Sequence, residues 1–293
     1  MLKHGQHAAY LLLMPIILLL LVLIVIPVIW TFYLSLHNTP FGFGDMKFVG
    51  LGNYLQLLAD PVFWGSFKIW ILWGFGNLVL QMTIPLGIAL LLNRHFPGNN
   101  LARMLVVIPW IIPMAVIAIL TRWMFEPTLG IINELLLTTG LSSQAVNFLG
   151  SNMNALPVLI MVNSWKYLPF GTIMILAVLQ TIPEELYEAA TVDGASGFQQ
   201  FKHITFPLLG TVVWFVAFLA FAWSMNAFDL IWLTTEGGPG NSTMTLPVMI
   251  YKRAFKTFSA GTASAIAIFI TMFLTVTGVF YFKYLSPKKD DGR

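Results

Sequence analysis

The chain has 293 residues, of which 58% are hydrophobic and only 9% charged. Soluble domains carry about 25% charged residues, and 24 Phe with 10 Trp exceed what one water-soluble core hides, so a soluble, disordered or nucleic-acid-binding protein is excluded. The net charge of +3 is small, and zero Cys removes disulfides, cysteine zinc sites and thiol nucleophiles together.

What remains is an all-α polytopic membrane protein. A span needs roughly 20 mostly apolar residues to cross about 30 Å of hydrocarbon. Six stretches meet this: about 10–36, 67–92, 103–123, 155–181, 207–234 and 261–284. Lys3 precedes the first run, as in a signal peptide. The run is too long for a signal core and ends in no small-residue cleavage site, so it is expected to be retained. Trp30, Phe32 and Tyr33 read as its interfacial aromatic belt.

Residues 37–66 form a turn-rich loop with Asn38, Pro40, Gly42, Gly44, Gly50 and Gly52. Within it, Asn53 to Ala59 predicts a short interfacial helix, stopped by Asp60-Pro61. Pro15, Pro27, Pro85, Pro109, Pro113 and Pro169 lie inside spans. They read either as packing kinks or as hinges. The loop 124–154 carries a short amphipathic piece over Ile131–Leu137, and Gly237-Gly238-Pro239-Gly240 breaks the chain after the fifth span. His37, His95 and His203 read as solvated loop residues. No loop is large enough to be a domain, so residues 1–293 are expected to be one membrane domain.

Charge gives the orientation only a slim margin. With the N-terminus inside, the inner side holds Lys3, Arg94, Arg103, Lys202, Lys283, Lys288, Lys289 and Arg293. The outer side holds Lys47, Lys68, Arg122, Lys252, Arg253 and Lys256. The excess predicts both termini inside.

Residues 182–206 are the longest polar interval on that inner side. Pro183, Glu184, Glu185 and Glu188 suit a helix start. Gly194 and Gly197 break the helix, and Phe198-Gln199-Gln200-Phe201 begins a second short one, expected to stop before Pro207. Ala189 and Ala190 make a slim face that a partner can approach closely, and Gly194 permits a positive-φ turn. An ordinary connection at the membrane surface would need nothing more.

The order Glu188-Ala189-Ala190, three residues, Gly194, nine residues, Ile204, one residue, Phe206-Pro207 resembles the EAA loop of ABC importer permeases. Phe206 stands where that pattern has Leu. GLGNY at Gly50–Tyr54, WKYLPF at Trp165–Phe170, LTTEGGP at Leu233–Pro239 and IYKRAF at Ile250–Phe255 are similar to the carbohydrate branch, the maltose- and glycerol-phosphate-type permeases. The resemblance covers about residues 10–285. It implies the type I importer permease fold and assigns Glu188, Ala189, Ala190, Asp193 and Gly194 to coupling with an ATPase. It implies as partners a second permease subunit (a heterodimer), two cytosolic ATPase subunits and an extracytoplasmic solute-binding protein. The setting implied is a bacterial or archaeal cytoplasmic membrane.

The chain has no Gly-x-x-x-x-Gly-Lys-Ser/Thr phosphate loop, so ATP with its Mg is expected on the partner ATPase. No catalytic constellation and no metal cluster is found, so the chain reads as a transport subunit without enzymatic activity. Ionisable groups inside spans face a cavity or partner by default. Lys166 and Asp229 qualify. Helical spacing groups Asn163, Lys166, Tyr167 and Phe170, and likewise Trp223, Asn226 and Asp229; all but Phe170 are path candidates. Sugars stack on aromatic faces and hydrogen-bond to amide, carboxylate and ammonium groups, so these six predict a sugar or polyol path. The other reading is structural, with both charges paired to other helices or snorkelling. An ion-driven secondary transporter is the alternative function; it predicts inverted repeats and buried carboxylates, and Asp229 is the only span carboxylate.

Overall fold

The computed structural model describes residues 12–39 and 46–285. Lys3, Pro40, Gly42, Gly44, Lys288, Lys289 and Arg293 lie outside them. Among the described residues five helices are long and apolar enough to cross a membrane: α1 (Leu12–Ser35), α3 (Pro61–Leu92), α7 (Ala155–Leu179), α9 (Gly197–Met225) and α12 (Ala260–Leu285). A sixth span is possible only as a bent pair, α4 (Asn99–Ile111) and α5 (Met114–Met124). Shorter elements are a two-stranded antiparallel pair, β1 (His37–Asn38) and β2 (Lys47–Phe48), with α2 (Gly52–Leu58), α6 (Ile131–Thr138), α8 (Glu184–Val192), α10 (Asp229–Thr235) and α11 (Leu246–Tyr251).

Two predicted spans are corrected. The 103–123 stretch is not one straight helix: α4 and α5 meet at 95°. Ile112, the residue before Pro113, is extended at φ −70° and ψ 127°, as the proline ring requires of its predecessor. The 207–234 stretch ends at Met225, and α10 is separate. There the indole N–H groups of Trp70 and Trp73 donate to Met225 O (2.8 Å) and Ser224 O (2.7 Å). The bond to Met225 O supplies a donor to a carbonyl at the helix end, while Ser224 O also accepts from Ala227 N–H (3.0 Å).

The chain groups into two compact units, one of residues 1–64 and 249–273, the other of 65–248 and 274–293. In the first, Asn53 ties the loop down. Its Nδ2 donates to Ser35 O (2.8 Å) and His37 O (2.9 Å), while Tyr54 Oη bonds Ser35 Oγ (2.7 Å). A Cβ on Gly261 would come within 2.2 Å of His37 O, so only glycine lets this backbone pass. Arg253 pairs with Asp60. His37 is not solvated: it is buried, bonds Tyr33 O through Nδ1 (2.7 Å), and its ring lies 4.1 Å from that of Tyr33.

In the second unit, α3, α7 and α9 share a core of Ala89, Leu92, Ile175, Leu176, Leu179, Leu209, Val212 and Val216. Glycines let helices close up. A Cβ on Gly171 would come 3.0 Å from the Pro85 ring and 3.4 Å from Gln81 O, so α7 passes close to α3 there. Small residues at such crossings are a general device of membrane helices.

Candidate functional site

The loop after α7 is a helix, a sharp turn and a second helix. Gly194 adopts φ +80°. Its N–H donates to Thr191 O (3.0 Å) and that of Ala195 to Ala190 O (2.8 Å). This is a Schellman end, for which glycine is the preferred residue. Gly197 does not break a helix; it opens one. Ser196 caps it, its Oγ accepting from Gln199 N (3.4 Å), while Ser196 N donates to Gln199 Oε1 (2.7 Å).

The predicted stop before Pro207 does not occur. A π turn over Phe201–Thr205 leads straight into the fifth span. Pro207 follows directly on this wide turn, whose last bond runs from Phe206 N–H to Phe201 O, and the helix passes the proline without stopping. Tyr187 Oη to Thr205 Oγ1 (3.0 Å) and Gln200 Nε2 to Thr191 Oγ1 (2.9 Å) hold the two arms together. Glu188, Ala189, Asp193 and Gly194 are exposed and Ala190 half-buried. Beside them Val192 (87% exposed) and Phe198 (74%) offer bare apolar side chains, which the EAA pattern does not name.

A cavity of about 480 Å³ lies at the break after α9. Tyr167, Trp223, Asn226 and Asp229 line it, together with Ala227, Phe228 and Leu230. Trp110 and Met114, from the two sides of the α4–α5 bend, complete the wall. Trp110 packs edge-on to Phe170 (5.9 Å), Phe170 to Trp223 (4.8 Å), and Tyr167 lies 6.1 Å from Trp223. Asn226 donates to Ala222 O (2.9 Å). Asp229 is exposed in the first turn of α10, where a carboxylate suits the positive helix end. The cavity thus joins flat aromatic surface to an amide and a carboxylate, the groups that hold a polyhydroxylated molecule.

Four of the six predicted path residues meet in this cavity. The other two, Asn163 and Lys166, do not line it. Asn163 is fully buried and donates to Asn77 Oδ1 (2.7 Å), which also accepts from Ser164 Oγ (3.2 Å) and Gln81 Nε2 (3.2 Å). Its amide joins α7 to α3 and does not line this cavity. Lys166 is 8% exposed and donates to Pro109 O (3.1 Å), Trp110 O (2.8 Å) and Ile112 O (2.5 Å). Both groups obey the rule that a polar side chain in a span must find a partner, but the partner is protein. Trp110 and Met114 escaped the sequence reading. The signal was there: an aromatic between Pro109 and Pro113 at a broken helix.

Residues 83–291 match the family described as binding-protein-dependent transport system inner membrane component. The trehalose/maltose transport system permease protein MalF of Thermococcus litoralis is 35% identical over 281 residues, 96% of this chain and 94% of its own length. The sulfoquinovosyl glycerol transport system permease protein SmoG of Agrobacterium fabrum is 32% identical over 93% of this chain and 88% of its own. The crystal structure of a bacterial ABC transporter involved in the import of the acidic polysaccharide alginate matches with a TM-score of 0.83, over 96% of this chain and 95% of that one. At 22% identity that likeness is one of fold. With six apolar segments, a type I importer fold and these relatives, the chain belongs to the binding-protein-dependent transport system inner membrane components, the multi-pass permease subunits of ABC importers, and not to the ion-driven secondary transporters.

Proposed function

We propose that this permease forms half of the pore of an ATP-driven importer for a sugar or related polyol. The observation that carries the substrate class is the cavity wall of Trp110, Tyr167, Trp223, Asn226 and Asp229. Two relatives are named for trehalose/maltose and sulfoquinovosyl glycerol transport, which supports the same class. A homologous second permease completes the pore, and an extracytoplasmic binding protein delivers substrate. Both termini and the loop carrying Glu188, Ala189, Ala190, Asp193 and Gly194 face the cytosol. There the loop presents Val192 and Phe198 to a groove on an ATPase, which binds ATP with its Mg. ATP binding draws the loops together and favours the outward-open state; hydrolysis restores the inward one. Each partner shifts the balance only by as much as it binds one state better than the other.

The native chain has no Cys, so single cysteines at Tyr167, Trp223, Asn226 and Asp229 can be read without background. In the assembled transporter they are expected to react with a small aqueous thiol reagent, and trehalose or maltose is expected to protect them. Residues inert in every nucleotide state would show a dry, packed wall and defeat the path. The purified permease is also expected to bring an ATPase with it.

A further inference from the structure

The bend between α4 and α5 strands three carbonyl groups. Pro113 has no N–H to offer Pro109 O. Beyond the bend, the N–H groups of Val116 and Ile117 both turn to Pro113 O (3.0 and 3.1 Å), so the second helix starts afresh. The oxygens of Pro109, Trp110 and Ile112 converge on one point, and the Lys166 ammonium occupies it. An ammonium has three N–H donors and no acceptor; here each donor meets one carbonyl. The end of a helix also carries partial negative charge, which favours a cation there. The partners of Lys166 are these three carbonyl oxygens, and no carboxylate is among them.

Lys166 thereby links two walls of one cavity. It lies on α7 next to Tyr167, and its acceptors flank Trp110 and precede Met114. We propose that Lys166 is a positioning residue for transport: its ammonium supplies the donors that the broken span lacks, and so holds Trp110 and Met114 in the cavity opposite Tyr167. The proposal rests on the reading of that cavity as the substrate path. The ammonium itself touches no substrate. Its cost in a membrane segment is offset by three acceptors that would otherwise be unsatisfied.

The test uses the assembled transporter and three backgrounds: Lys166→Arg, Lys166→Met, and Lys166→Met with Pro113→Ala. The last restores an N–H for Pro109 O, so the chain can fold as a straighter helix even if Lys166→Met alone cannot. Spin labels at Met104→Cys and Trp123→Cys, both on exposed side chains, read the bend. At 1.5 Å per residue, straightening lengthens their separation by about 8 Å. In parallel, Met114→Cys reports the bent wall and Asn226→Cys the wall beyond α9. The double variant is expected to lengthen the spin distance, to slow thiol labelling at 114 by roughly tenfold or more, and to leave 226 reactive. Its apparent KM for trehalose or maltose is expected to rise by more than its maximal rate falls, and Lys166→Arg, which keeps the donors, to stay near the native chain in all readouts. Unchanged spin distance and labelling in both Met backgrounds would overturn the role of Lys166. Cysteines at 114 and 226 that never react, while the spin distance still lengthens, would instead defeat the cavity reading, and the transport role with it.

Discussion

In the loop from Glu184 to Gln200 the turns are set by near neighbours. Gly194 closes one helix through Ala190 and Thr191, and Ser196 opens the next through Gln199. The cavity is built the other way. Trp70 and Trp73 end α9 from more than 150 positions away, and Lys166 secures a bend 54 to 57 positions before it. The exposed loop is fixed locally, and the cavity is fixed by remote donors. The first survives small motions of its neighbours as a unit. The second changes shape whenever helices shift, as the proposed alternating-access cycle would require.

The largest expected effect tests the loop. Gly194→Val forces a β-branched residue to φ +80°, at a cost of about 1–3 kcal/mol. No atom lies within 4 Å of a Cβ there, so the fold has room for it. Membrane insertion is expected to persist while transport and substrate-stimulated ATP hydrolysis are lost in proteoliposomes. Normal coupling in this variant would show that the loop is merely a connection.

A middle-sized effect tests the remote construction. Asn163→Leu removes one of three donors to Asn77 Oδ1, and interhelical bonds of this kind are worth about 0.6 kcal/mol on average. A small fall in stability is expected on denaturant titration in detergent, with sugar affinity unchanged, because the side chain lies behind the cavity wall. A rise in apparent KM without loss of stability would return Asn163 to the path.

The smaller effects are local again. Ser196→Ala removes a cap whose longer bond is 3.4 Å, so about 0.5 kcal/mol, the low end for such caps, is expected. Hydrogen exchange at Gln199 N–H is the readout, and no change there would mean the second arm is held only by Gln200 and Tyr187. The smallest concerns Glu126, outside the spans. Its carboxylate accepts from Leu129 N (2.5 Å), from Thr128 Oγ1 (2.7 Å) and from Thr128 N (2.8 Å). These bonds, Leu129 N–H first, hold its pKa below the ordinary carboxylate value. A depressed pKa stabilises the turn above the unfolded value, and that contribution fades as pH falls through the lower folded one. Exchange at Leu129 N–H should therefore accelerate, beyond its intrinsic pH dependence, only below the ordinary carboxylate range. Acceleration already near neutral pH would remove Glu126 as its cause.

The same division decides what was legible beforehand. The short helix ending before Pro61, the piece from Ile131 and the turn at Gly194 follow from capping, proline and glycine rules that act over a few residues. Spans show themselves by length and apolarity, and the spacing of Glu188 to Pro207 carries the family. The 95° bend was not legible, because Pro109 and Pro113 announce a break but not its angle. That angle depends on an ammonium contributed by another helix. For the same reason Asn163 and Lys166 looked like path residues. A polar group in a span must be satisfied, and nothing in its own helix says whether water, substrate or a neighbouring backbone will do so. The proline at 207 misled in the opposite sense, since a wide turn ahead of it let the helix continue.

That continuation gives the permease a connecting rod. From Gly197 to Met225 there are 29 helical residues without a gap, about 43 Å at 1.5 Å per residue. One end is capped by Ser196 in the exposed loop; the other stops at Asn226 in the cavity wall. A tilt of about 5° at the loop would carry the far end through about 4 Å over such a length, comparable to the thickness of a sugar ring. No intermediate hinge is needed to turn a push on Ser196 into a change in the space beside Asn226, and the single π turn at Phe201–Thr205 is where such a rod would give first.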